Sequence, residues 1–241
     1  LSRQSLWLRD SWTWLLEQSV LRDRPAHGRP TALDVGCGPG FVMEVLSRMF
    51  DVRGIDIDAG AVAEARRRGL DVREADAHTL PFDDGSFDMV YCSFLLLWVK
   101  DPVKVVSEMK RVSKEWVVCL AEPDLGARID FPEELGPLAR MAEEGIRDEG
   151  GDPLIGRKLR SLFASCGLEA EVGVHPGVWG IDRIREESEA EWRYLELTAH
   201  DGSHRKMLSE LRPVWDRAVE EGTMFQFNPV FHAFARRRSH G

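Results

Sequence analysis

The sequence predicts an α/β fold: a doubly wound, mostly parallel seven-stranded sheet with helices on both faces. Three observations carry this expectation. Short, apolar, β-branched segments alternate with helical ones through the first half of the chain. Strands that are apolar along their whole length suit a sheet covered on both faces, and right-handed crossovers leave the doubly wound arrangement as the simplest. The first strand also ends in a glycine-rich turn that opens a helix. At 241 residues, 43% hydrophobic and 30% charged, the chain suits one such domain with an insertion or cap.

Taken in order, residues 5–21 read as a helix with Leu8, Trp12, Leu15 and Leu16 near one stripe, broken by Arg24-Pro25 and by Gly28 to Pro30. A strand over 31–35 leads into the glycine turn. Pro39 stands where the next helix should begin, and Phe41, Val42, Val45, Leu46 and Met49 give that helix its apolar face. A strand follows at 51–57, then a helix at 60–68 stopped by Gly69. Further strands are expected at 71–75, 87–92 and 116–121, with a loop around Pro81 and a helix over 102–112.

Beyond Glu122-Pro123 the rhythm changes. Residues 124–151 are polar and irregular around a helix at 135–147; a helix at 154–165, a strand at 168–174 and a mostly helical stretch at 179–222 follow. A last strand at 224–235 is split by Asn228-Pro229. The expected division is an N-terminal lid helix (1–28), a cofactor-binding half (29–123), a substrate-side half (124–175), a helical insertion or cap (176–223), and the last strand with a basic tail (224–241).

With 32 Lys+Arg against 41 Asp+Glu, the formal net charge is −9. That opposes general binding to nucleic acid or to an anionic membrane, both of which need a basic surface. Cys37, Cys92, Cys119 and Cys166 show no C-x-x-C spacing, so neither a zinc site nor a disulfide framework is expected. No apolar run approaches the roughly 20 residues of a membrane helix, and no signal-peptide pattern is present. A reduced, cytoplasmic protein is expected. His200 and His204 have a metal-compatible i, i+4 spacing, but without a third ligand they read as a solvated helix face.

The chemistry concentrates in ALDVGCGPG, beginning at Ala32. Gly36, Gly38 and Gly40 allow a tight turn and close approach to a ligand, and the helix behind them offers unpaired N–H groups. This suits a phosphate and equally the carboxylate of an amino-acid-like cofactor. A dinucleotide site asks for G-x-G-x-x-G, whereas Phe41 occupies the third glycine position here. The second strand ends in G-I-D-I-D, placing Asp56 where an acid can accept both hydroxyls of an adenosine ribose, with Ile57 beside it; Asp58 reads as well as a helix cap.

The spacing D-x-G-x-G-x-G from Asp34, followed by E-A-D-A-H-T-L-P-F-D-D-G-S-F-D-M-V over residues 74–90, resembles the class I, Rossmann-fold S-adenosylmethionine-dependent methyltransferases of the ubiquinone/menaquinone-biosynthesis (type 11) group. The likeness runs from Ala32 to about Val112. It implies S-adenosylmethionine as cofactor, Asp34 helping to hold its methionine end, the loop at Gly36, Cys37, Gly38 and Gly40 around it, Asp56 on the ribose, Asp76 on the adenine amine and the Ala77 N–H on a ring nitrogen. Ser93 would close the pocket after the fourth strand.

The acceptor is less legible. After that strand the chain reads SFLLLWV rather than the N-P-P-Y or D-P-P-Y of DNA base methylation, and Cys92 lacks the proline that precedes a 5-methylcytosine nucleophile. Trp98 and Trp179 are candidate pocket walls, or core residues. Glu122 and His175 are the candidate general bases, needed only for an acceptor that must lose a proton. The other tryptophans, among them Trp12, Trp14, Trp192 and Trp215, suit either a lid or a second small core. The expected function is methyl transfer to a small or medium-sized organic acceptor, mainly by positioning in a dry pocket. Alternatives are methylation of a protein or RNA, a non-catalytic cofactor-binding subunit and, least, a nicotinamide-dependent oxidoreductase.

Overall fold

The computed structural model describes residues 7–22, 28–199 and 201–237; the break at Arg24-Pro25, His200 and Arg238 lie outside them. The strands are β1 (Thr31–Val35), β2 (Asp51–Asp56), β3 (Val72–Glu74), β4 (Phe87–Ser93), β5 (Ser113–Pro123), β6 (Ile129–Phe131), β7 (Ala170–Val174), β8 (Phe225–Phe227) and β9 (Val230–Arg236). The helices are α1 (Arg9–Gln18), α2 (Phe41–Leu46), α3 (Ala59–Arg67), α4 (Pro102–Val112), α5 (Pro137–Asp148), α6 (Ile155–Ser165), α7 (Ile181–Thr198) and α8 (Gly202–Glu221).

Seven strands form one sheet in the order β3-β2-β1-β4-β5-β9-β7, and β6 pairs with β8 in a separate ribbon. The neighbours from β3 to β5 are parallel, while β9 runs antiparallel to β7. Helices flank this mostly parallel sheet, as the sequence predicts. The strand order reverses between β1 and β4, and ligands of such sheets sit outside the carboxyl ends of the strands at that switch point.

Local chemistry explains the boundaries. Asp58 caps α3 by accepting from Gly60 N–H at 2.7 Å and Ala61 N–H at 3.2 Å. Asp101 caps α4 through Lys104 N–H at 2.9 Å, with Pro102 at the first turn. In β1, Ala32, Leu33 and Val35 are fully buried, so this strand can lie only in the middle of a covered sheet.

The chain divides into two compact units: residues 1–122, 157–175 and 231–241, and residues 123–156 with 176–230. The first holds the sheet and α1, whose Trp12 and Leu16 are buried while Trp14 is 60% exposed. The second has its own core, in which Leu135, Leu138, Met141 and Ile184 surround Trp192, Leu195, Leu208 and Trp215. The Trp192 and Trp215 rings lie 5.3 Å apart, and the Trp215 indole N–H donates to Ser188 Oγ at 2.8 Å. These two tryptophans thus pack a second core.

The expected last strand is two strands serving different sheets. Asn228-Pro229 separates β8, which joins β6 in the second unit, from β9, which enters the main sheet. At three residues, β6 is too short to read as a strand in the sequence. Its ribbon is inverted: Asp130 and Gln226 face each other on the buried side, while Ile129 and Phe131 are 54% and 50% exposed. Arg128 makes this tolerable for Asp130 by pairing with both of its carboxylate oxygens at 2.8 to 3.1 Å and by approaching Glu191 at 3.8 Å, while Gln226 Nε2 meets no partner among the described residues. No helix among the described residues is long and apolar enough to cross a membrane.

Candidate functional site

At the switch point three buried polar atoms meet no partner among the described residues: Asp34 Oδ2, Tyr91 Oη and Ser93 Oγ. Asp34 and Tyr91 are register partners across β1 and β4, and Ser93 follows on the same face of β4 as Tyr91. Burial pushes the Asp34 carboxyl up to about 8; the nearby Tyr91 phenol offsets part of this, and the charge of Asp56 adds to it. Native proteins seldom leave buried polar groups unanswered, and three gathered at a switch point make it the candidate site for a ligand.

The turn beside it is held from below. Ile55 C=O accepts from Gly36 N–H at 2.8 Å and from Cys37 N–H at 2.9 Å. Asp56 accepts from Gly38 N–H at 2.7 Å and from Asp58 N–H at 2.9 Å, so it ties the turn to the end of β2. Gly36 and Gly40 have positive φ of 74° and 85°. A Cβ on Gly36 would lie 2.6 Å from Leu95 Cδ1, and one on Gly40 would overlap Leu70. A Cβ on Gly38 would meet open space, the side from which a ligand can reach the backbone. The Cys37 side chain turns instead into a core cluster with Met43, Val62 and Val72, and burial holds its thiol up and neutral.

Ile57, 70% exposed, stands beside Asp56 as an apolar platform. Asp76 Oδ1 accepts from the N–H of His78 at 2.8 Å and lies 2.7 Å from its Nδ1, and these bonds hold the carboxyl below its ordinary range. Since His78 Nε2 accepts from Asp101 N–H at 3.4 Å, Nδ1 carries the proton, leaving Asp76 Oδ2 for a ligand. Ala77 is buried next to it.

Some of the machinery escapes the sequence reading. Glu108 is buried and accepts from Leu80 N–H at 2.9 Å, while Arg111 donates to the carbonyls of Leu80 at 2.9 Å and Phe82 at 2.8 Å. One turn of α4 therefore holds the Leu80-Pro81-Phe82 loop. A glutamate inside the apolar stripe of Val105, Met109 and Val112 was the available signal. Arg68 lies 4.0 Å over the Phe41 ring and pairs with Glu44. Arg236 and Arg237, expected in a free tail, bond to Glu115 and to the Ser113 carbonyl.

Both candidate bases are engaged. Glu122 is wholly buried; its Oε1 accepts from Leu95 and Leu96 N–H at 2.9 and 2.7 Å, and its Oε2 from Leu97 N–H at 3.3 Å. Burial pushes its carboxyl up to about 8, against the pull of those amides. Cys92 and Cys119 are its close neighbours, their ligand atoms all within 4.8 Å. His175 is buried with Nε2 at 2.7 Å from the Leu120 carbonyl and Nδ1 at 2.7 Å from Ser11 Oγ. Nε2–H must therefore donate and Nδ1 accept. Burial holds its pKa down, and that of its ring neighbour His232 down to about 4. Leu120 is the extra residue of a bulge opposite Cys92 and Ser93. Trp98 is half-buried in the turn after β4, in the first unit. Trp179 is half-buried in the second unit, where Arg183 lies 4.1 Å over its ring.

Residues 33–120 match the family described as a methyltransferase domain. The chain is 34% identical over 165 residues to an uncharacterized 37.1 kDa protein in transposon TN4556 of Streptomyces fradiae, covering 63% of this chain and 47% of that protein. It is 34% identical over 125 residues to a phosphatidylethanolamine N-methyltransferase of Cereibacter sphaeroides, covering 48% and 59%. The chain thus spans only about half to three-fifths of these relatives. A crystal structure of a putative methyltransferase from Bacillus halodurans superposes with a TM-score of 0.62 over 92% of this chain and 98% of that one, at 17% identity, a likeness of fold.

Proposed function

We propose that this chain, which carries a class I methyltransferase domain, transfers a methyl group from S-adenosylmethionine to a small or medium-sized organic acceptor. The observation that carries the reading is the cluster of unanswered polar atoms on Asp34, Tyr91 and Ser93 beside a glycine turn open only at Gly38. These residues fit an amino-acid-bearing cofactor: a carboxylate for its ammonium, hydroxyls for its carboxylate, and a backbone that a ligand can approach closely.

When bound, S-adenosylmethionine supplies an electrophilic sulfonium methyl. Asp34 would hold the cofactor's ammonium group, which requires it to give up the proton that burial favours. Asp56 would accept from the ribose hydroxyls while keeping its bonds to Gly38 and Asp58. Asp76 Oδ2 and the Ala77 N–H would face the adenine, with Ile57 against the base. Leu95, Leu96 and Leu97 exclude water from the edge of the sheet. Rate enhancement then comes from orientation and dryness, a reading supported by Glu122 and His175 both being committed to other partners.

Calorimetry with S-adenosylhomocysteine and with NADH is the first test, with binding expected for the former alone. The second is transfer of a labelled methyl group to a panel of amines, phenols and carboxylic acids, set against total protein and RNA. Label found only in macromolecules would overturn the small-acceptor reading, and binding of NADH alone would overturn the whole.

A further inference from the structure

Phe94 has φ of 53°, making it the one residue other than glycine with a positive φ among the described residues. A bulky side chain in this region is strained and persists only where its surroundings over-determine it. Here they do. Phe94 N–H donates to the Ala121 carbonyl at 2.7 Å, and the next three amides, of Leu95, Leu96 and Leu97, all converge on the Glu122 carboxylate. Trp98 N–H closes the turn on the Leu95 carbonyl at 2.9 Å. The strained turn aims Leu95 at Gly36, where its methyl group fills the place a Cβ would take.

We infer that Glu122 is a positioning residue for cofactor binding: by gripping the amides of Leu95, Leu96 and Leu97 it holds the Phe94 turn and presses Leu95 onto the Gly36 loop. Among the described residues its carboxylate pairs with no cationic side chain, and both oxygens accept from the turn. The inference rests on the cofactor reading above, but concerns a group that touches neither cofactor nor acceptor. It also accounts for a strand end carrying a buried acid without a base's duties.

The test is the dissociation constant of S-adenosylhomocysteine, which needs no acceptor. At about pH 9, where Glu122 is ionised, Glu122→Gln keeps one oxygen for Leu95 and Leu96 but turns an NH2 toward the Leu97 N–H, and a loss of about tenfold in affinity is expected, the equivalent of roughly 1.4 kcal/mol. Phe94→Gly accepts the positive φ without strain, so Glu122→Gln should cost less affinity in the Phe94→Gly background than in the native one. Leu95→Ala removes the contact with Gly36 and leaves all three amides in place. It should weaken binding while leaving Tm within a few degrees, and it serves if Glu122→Gln does not fold. Unchanged affinity in Glu122→Gln or Leu95→Ala, or strictly additive effects of the Glu122 and Phe94 changes, would overturn the inference. Failure of the native protein to bind S-adenosylhomocysteine would instead overturn the cofactor reading.

Discussion

The two compact units use buried charge in opposite ways. In the second, Arg128 holds both oxygens of the Asp130 carboxylate, so the acid at the centre of the ribbon is paired within the chain. In the first, Asp34 is buried as deeply, yet its Oδ2 meets no partner and its proton affinity is pushed up to about 8. A paired charge stabilises the fold, whereas an unpartnered acid at the switch point of a sheet is a candidate for holding a ligand. The contrast teaches where mutation should strike stability and where it should strike binding.

The largest expected effect lies in the second unit. Arg128→Ala leaves Asp130 buried and unpaired and should cost about 3–5 kcal/mol of stability. Denaturant melts would report this, with little change in S-adenosylhomocysteine affinity per folded molecule. A large loss of affinity would break the comparison. Next, Asp56→Ala should weaken S-adenosylhomocysteine by roughly 1–3 kcal/mol, from the ribose bonds proposed for it and the loosened Gly38 turn. Unchanged binding would leave Asp56 as a tie between backbone segments and nothing more.

A subtler effect is protonic. Because the folded-state pKa of Asp34 is raised, the ligand-free protein binds a proton that the unfolded chain releases. Its contribution to stability is therefore fully present below about 4, the ordinary carboxylate range, and is lost as pH rises through about 8. An ammonium partner favours the ionised form, so S-adenosylhomocysteine binding near pH 7 should release protons. Calorimetry in two buffers of different ionisation enthalpy measures this, and Asp34→Asn should abolish it. If the native protein and Asp34→Asn release equal numbers of protons, Asp34 is not the group. The smallest effect is expected at Phe131→Ser, on the exposed face of the ribbon, where stability should change by within about 0.5 kcal/mol.

The same contrast explains what could be read in advance. Strands β1, β4 and β5 and helix α4 are legible because local pattern and tertiary burial agree in them: Ala32, Leu33 and Val35 are apolar, β-branched or small, and buried on both faces. Asp34, Asp56 and Asp76 are legible because each lies at or just past the end of a strand, where the backbone turns. The turn after β4 is not, since nothing local reveals that Glu122, 28 residues after Phe94 in the sequence, supplies the acceptor for three amides. Nor is the ribbon: β6 and β8 are three-residue strands almost a hundred residues apart whose buried partners are polar, so their pairing defeats any rule based on apolar alternation. The split at Asn228-Pro229 was visible as a break, but only the register of β9 against β7 reveals that the two halves serve different sheets.

That register also bears on how the molecule is made. β9 lies between β5 and β7, so β7 has no place in the sheet until β9 has arrived. While the ribosome is still extending the chain, β1 to β5 can assemble as they emerge, but β5 keeps an unpaired edge and β7 waits beside it. An exposed strand edge of that kind is a template for pairing with other chains. Emergence of residues 230–236 from the exit tunnel should therefore close that edge, and a stop codon shortly before Val230 should yield inclusion bodies rather than soluble protein.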